Sequence, residues 1–196
     1  LGNCIFVVRN YNFNLLQTMS ILLKNAMILD SKSSFNQSRK DILIKEGIIV
    51  EIADKISPKA GYEIIEKEGL CVSQGWFDAS VSFGEPGFEE RETIKNGLET
   101  AAKSGFTAVA LNPNTDPIID TKADIEFVIH KSKNSACKLY PIGALTQKSA
   151  GIEMAELFDM QQSGAIAFGD YQKPIENDNL MKIALQYAQI FDGLVL

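Results

Sequence analysis

The sequence predicts an α/β protein: a small antiparallel β unit followed by the first half of a (β/α)8 barrel of the TIM type. Three observations carry that expectation. Residues 21–72 hold short apolar runs broken by turn residues, which is a β grammar. From Gly75 onward, compact apolar runs alternate with amphipathic stretches of helical period, as βα units on a parallel sheet require. Four or so such units precede the last residue, too few to close the roughly eight strands of a complete barrel.

The β unit, expected over 19–73 as a small sandwich-like body, opens with Ile21-Leu22-Leu23 and Ala26-Met27-Ile28-Leu29 as two short strands. A Ser-rich polar loop follows over 31–38. Asp41-Ile42-Leu43-Ile44, the turn Lys45-Glu46-Gly47 and Ile48-Ile49-Val50-Glu51-Ile52 read as a hairpin, with β-branched strands flanking a glycine turn. Glu63-Ile64-Ile65-Glu66 and Leu70-Cys71-Val72 add two short strands.

The half-barrel, expected over 74–196, starts with a strand from Trp76 to Ser82. Residues 92–103 read as a helix with Ile94, Leu98, Ala101 and Ala102 on one face and Gly105 closing it. Residues 106–111 are a buried strand. The span 121–132 is a helix capped by Thr121, with Asp124 at its third position. Strand 139–145, helix 152–161, strand 165–168 and helix 179–190 continue the alternation. Gly193-Leu194-Val195-Leu196 reads as a further buried strand stopping in mid-element, which suggests a fragment of something longer. Residues 1–18 lack the basic start and continuous apolar run of a secretory signal, so they read as an extension outside the fold, with Met19 opening the folded unit.

Composition narrows the function classes. Of 196 residues, 25 are acidic and 19 basic, a formal charge of −6, which argues against a nucleic-acid surface. No apolar run reaches the roughly 18 residues of a membrane span. The single histidine, His130, excludes chemistry that needs several imidazoles from this stretch. Cys4, Cys71 and Cys137 form no CxxC pair, so each is expected to be a small buried apolar residue in a reducing cytoplasm.

The run Gly75-Trp76-Phe77-Asp78-Ala79-Ser80-Val81-Ser82-Phe83-Gly84-Glu85-Pro86-Gly87 resembles the first barrel strand and loop of dihydroorotases, cyclic amidohydrolases of pyrimidine biosynthesis. The resemblance continues through Glu92-Thr93-Ile94, Gly105-Phe106-Thr107-Ala108-Val109 and Asn112-Pro113-Asn114-Thr115-Asp116-Pro117. Gly143-Ala144-Leu145-Thr146 and Gly164-Ala165-Ile166-Ala167-Phe168-Gly169-Asp170 extend it, so that it covers nearly everything from Met19 onward.

The family pattern implies His-x-His-x-Arg on the first strand, with strand period 2 aiming both imidazoles at a zinc that activates water. Those positions fall on Ser80, Ser82 and Gly84. Serine hydroxyls are poor zinc ligands, and Gly84 offers no guanidinium for a substrate carboxylate. Asn114 matches the family's substrate asparagine. Asp170 matches its metal-bridging carboxylate, although Tyr171-Gln172 stands where a second aspartate and a glycine are usual. The next family histidine would lie past Leu196.

Each residue also has a plainer reading. Asp170 would cap the turn that follows it, Asn114 would shape a turn, Asp78 would fix backbone and Glu85 would hold its loop. His130 would be a cation near a helix C-terminus. Ser80 and Ser82 have no base placed beside them by sequence, so neither is expected to be a nucleophile.

The resemblance therefore implies a dihydroorotase-like protein without catalysis, without a bound cofactor, and with Asp170 as the sole residue left for a metal. It also implies a cytoplasmic, non-catalytic partner of aspartate transcarbamoylase in a homo- or hetero-oligomer. Two alternatives stand beside it: an active metal-dependent cyclic amidohydrolase with an altered site, and a binding module for a small metabolite.

Overall fold

The computed structural model describes residues 20–196. The proposed extension over 1–18, the Met19 start and Cys4 lie outside the described residues. The chain divides into two compact units, with the division after Trp76.

In the first unit, β1 (Ser20–Leu29), β2 (Arg39–Lys45) and β3 (Ile48–Ala53) form an antiparallel ladder. On the other edge of β1, β4 (Tyr62–Glu66) and β5 (Cys71–Ser73) pair with it in parallel. The described strands here form one five-stranded sheet, where a sandwich would need two.

The two apolar runs expected near 21–29 are one strand, β1, interrupted by a bulge. Leu23 pairs with Ile42 and Ala26 with Lys40, so Lys24 and Asn25 together face Asp41. Asn25 adopts a left-handed φ of 50°, which asparagine tolerates. The extra residue shifts the period-2 phase, which is why Ile21 and Leu23 share a buried cluster with Ala26 and Ile28. Leu22 packs on the opposite face with Leu43 and Ile56. Each side chain buried so completely contributes about 2 kcal/mol.

Asp41 closes the bulge. Its Oδ1 accepts the Asn25 N–H at 2.9 Å, and its Oδ2 accepts the Ile56 N–H at 2.9 Å and pairs with Lys24. Burial raises the carboxyl's pKa, but the Lys24 hydrogen bond, the two backbone N–H groups and the Lys24 charge outweigh it and hold it below 3.8. A depressed pKa means that this stabilisation is fully present above the unfolded value. It is lost as pH falls through the folded one. Wild type should therefore exceed Asp41→Asn in stability at neutral pH, and the gap should shrink as pH drops below 3.8, read by denaturant titrations across pH. A gap that stays constant into acid would refute the clamp.

The second unit carries β6 (Trp76–Val81) from its second residue on, then α1 (Ile94–Lys103), β7 (Phe106–Leu111), α2 (Lys122–Lys131) and β8 (Lys138–Gly143). A 3-10 turn (Gln147–Ser149), α3 (Leu157–Gln162), β9 (Ala167–Phe168) and α4 (Asp178–Gln189) follow. The sheet order is β6-β7-β8-β9, each strand beside the next in sequence, with β7–β8 and β8–β9 parallel. Val195 bridges Phe168 in parallel, adding the start of the next strand. This is the sequential winding of a barrel's first half. Val109 and Leu111 are fully buried, while Ala110, Ile142 and Ala167 make a separate small cluster. Asn112 lies two residues past Ala110, and that spacing carries it to the site.

The helices start where their caps are. α1 begins at Ile94 and not at 92, because Thr93 accepts the Asn96 N–H. It buries Ile94, Leu98 and Ala102 as expected. Thr121 and Asp124 form the reciprocal capping box of α2. Asn177 caps α4 through the N–H groups of Asn179 and Leu180.

The helix expected over 152–161 forms only in its second half: α3 spans Leu157–Gln162, and 152–156 are a loop. Met154 bridges Thr146, Ala155 donates to Leu145 O at 3.0 Å, and Glu153 O accepts from Gln147. Those backbone groups are spent across the chain and cannot join a helical ladder. Of the cysteines, Cys137 is buried, and burial pushes its thiol up to about 11. Cys71, expected inside, is exposed, because β5 is short and buries Val72 alone. No helix among the described residues is long and apolar enough to cross a membrane.

Candidate functional site

The ends of β6 and β7 are tied together by the Asn112 N–H, which donates to Val81 O at 2.9 Å. That contact sets the register of two side-chain rungs. Asn112 Nδ2 donates to Ser80 Oγ at 3.0 Å and to Val81 O at 3.0 Å. Asn114 Nδ2 donates to Ser82 Oγ at 2.6 Å. Both serines are exposed, Asn112 is buried and Asn114 is half-buried. The matching i, i+2 spacings on two neighbouring strand ends produce this ladder, as strand period dictates.

Asp170 follows β9 and is committed elsewhere. Its Oδ1 accepts the N–H groups of Leu145 and Thr146, each at 3.0 Å, and its Oδ2 accepts the Thr146 hydroxyl. Thr146 Oγ1 accepts in turn from the Gly151 N–H at 2.9 Å. The carboxylate thus holds the loop after β8, and not the turn that follows Asp170 as expected. Leu145 and Thr146 are essentially fully buried, so their N–H groups have no water to replace this acceptor.

The loop after β6 is cross-linked along its length. The N–H groups of Gly84 and Glu85 donate to Glu92 O at 2.8 and 3.2 Å, and the Phe88 N–H donates to Gly84 O at 2.9 Å. Glu85 is buried, and its role is wider than shaping its own turn. Its Oε2 accepts the Ile94 N–H at 3.0 Å at the start of α1, and its Oε1 pairs with Lys131 of α2 at 2.7 Å. That hydrogen bond and the charge behind it lift the Lys131 pKa above 10.5. Arg91 lies over the Phe88 ring and donates to Phe83 O. Asp78 accepts the Ser80 N–H at 3.0 Å, the backbone role expected of it. His130 is exposed in the last turn of α2.

Ser80, Asn112 and Asp170 line one cavity of about 280 Å³ with Tyr171, Gln172, Ala79, Ile142, Gly169 and Leu196. Ser82, Gly84 and Asn114 are not in that lining, so the structure brings together only part of the set marked by sequence. Asn112 went unmarked there, although its spacing to Asn114 repeats that of Ser80 to Ser82. Tyr171 and Gln172 carried no signal beyond their place after Asp170.

A family model described as dihydro-orotase-like matches residues 69–195. The chain belongs to the dihydroorotase-like family. Curated dihydroorotases from Ruminiclostridium cellulolyticum and Acetivibrio thermocellus are 42% and 40% identical to it over 179 and 177 residues. These matches cover 91% and 90% of this chain and 41% of each relative, so the chain spans about two fifths of their length. Among solved structures, an L-hydantoinase (dihydropyrimidinase) from Arthrobacter aurescens superposes with a TM-score of 0.73 at 18% identity, covering 91% of this chain and 40% of that one. A crystal structure of a dihydroorotase superposes at 0.61 and 16%, covering 91% and 50%. At such identities these structures speak for the fold, which is that of a barrel's first half.

The zinc implied by the dihydroorotase pattern does not fit the donors on these strands. Both serine hydroxyls already accept amide hydrogens, and neutral hydroxyls bind zinc weakly. Asp170 already accepts from three donors and is the one carboxylate side chain in the cavity lining. Among the described residues, no three of His, Cys, Asp or Glu gather as a ligand set.

Proposed function

We propose that this chain is a dihydroorotase-like component of pyrimidine biosynthesis that does not turn over substrate by metal-activated water. In this reading it serves in the cytoplasm as a non-catalytic partner of aspartate transcarbamoylase. The observation that carries the proposal is the Ser80–Asn112 and Ser82–Asn114 ladder at the two strand positions where the family pattern calls for imidazoles. A water molecule beside these hydroxyls keeps its ordinary pKa, and without a cation it is a poor nucleophile at neutral pH. The loss of the chemistry while capped helices and paired strands persist favours a scaffold role. Nothing specific favours the altered-enzyme reading, since Asp170 is engaged by Thr146 and Leu145.

Purified protein should hydrolyse no dihydroorotate above background with zinc supplied, and should co-elute with aspartate transcarbamoylase in gel filtration. Chelator-sensitive turnover would refute the first half. Separate elution at micromolar concentrations would refute the second.

A further inference from the structure

Of the three side chains that the family pattern calls for, the one at position 84 has had its space closed by the loop after β6. At Gly84 an added Cβ would lie 1.8 Å from Phe88 O and 2.6 Å from Phe88 C, both backbone atoms that cannot rotate aside. Gly87, with a left-handed φ of 93°, is pressed so close to the next loop that a Cβ would meet Asp116 O at 2.0 Å. Pro86 O accepts the Asp116 N–H at 3.0 Å, which ties the same two loops again. The loop after β6 therefore fills the volume that any side chain at position 84 would enter.

The metal positions carry amide contacts instead. An imidazole at position 80 would replace a hydroxyl that accepts from the buried Asn112, whose Nδ2 is a donor that competes for the ring lone pair a cation needs. At position 82 the hydroxyl accepts from Asn114. Asp170 already accepts two N–H groups on Oδ1 and the Thr146 hydroxyl on Oδ2, so a cation would have to share the carboxylate with the loop that it holds.

We propose that the metal and carboxylate subsites of the family pattern have been overwritten by this chain's own backbone and amide ladder, so that restoring the lost side chains does not rebuild them. The proposal rests on the non-catalytic reading above and goes further, because an emptied site would refill and an overwritten one does not.

The test is zinc stoichiometry and melting temperature of the full chain, as wild type, S80H/S82H and S80H/S82H/G84R. Each is equilibrated with excess zinc and gel-filtered. The expected result is no stoichiometric zinc in any of them, with the triple variant melting well below the double. One zinc per chain in S80H/S82H at the wild-type melting temperature would overturn the proposal and leave the non-catalytic reading intact. Stoichiometric zinc in the wild type would sink that reading instead. A triple variant that melts with the double would refute the filled-loop half. Should the double variant fail to fold, G84R alone is compared with wild type by melting temperature. A midpoint equal to that of wild type overturns the proposal, and one well below it upholds it, because the Phe88 carbonyl stands 1.8 Å from the new Cβ.

Discussion

Gly84→Ala should lower the stability of the barrel unit by about 3 kcal/mol, the upper end for overpacking, and its melting temperature by on the order of 10 °C. A single methyl group has this effect because of what it strikes. The obstacle 1.8 Å from the new Cβ is the Phe88 carbonyl, part of a backbone whose N–H is bonded to Gly84 O at 2.9 Å. Moving Phe88 strains that bond and the Gly84 N–H bond to Glu92 O, and it disturbs the Arg91–Phe88 stack. The loop cannot move as a free flap. Glu85 anchors it to the first turn of α1 and to Lys131, and Pro86 O anchors it to Asp116. Denaturant unfolding followed by circular dichroism measures the effect. If Gly84→Ala unfolds at the wild-type midpoint, the loop is pliable and the volume argument fails.

Asp170→Ala should cost about 3 kcal/mol even in protein stripped of metal, because it leaves buried N–H groups without an acceptor. Leu145, Thr146 and the Thr146 hydroxyl all lose their partner at once. Asp170→Asn keeps one oxygen that can still accept from the two N–H groups, so its loss should be well under half as large. Amide exchange supplies a local readout: the Leu145 and Thr146 N–H groups should exchange much faster in the alanine variant and only slightly faster in the asparagine variant. A residue kept solely for metal would show none of this, and an alanine variant as stable as wild type would refute the assignment.

Much of the fold was legible because its signals are local. Thr121 and Asp124 announce the start of α2 within a single turn, since both halves of a capping box lie three residues apart. The spacing of Ile94, Leu98 and Ala102 defines the buried face of α1 in the same way. Ser80 and Ser82 could be marked as one-face neighbours from strand period alone. Other features depend on partners distant in sequence. The bulge at Lys24 and Asn25 is fixed by Asp41, the loop over 152–156 by Thr146 and Leu145, and the exposure of Cys71 by how little of β5 the sheet covers.

The succession of strands and helices and the residue types at the strand ends could be read along the chain, because these follow from backbone period, capping and residue type. What those side chains do is set by folding. Whether a carboxylate such as Asp170 is free for a cation, and whether Gly84 leaves an opening, depends on which backbone groups arrive from elsewhere in the chain. Hydrogen-bond demand and close packing settle that in three dimensions, where residues far apart along the chain compete for the same few ångströms.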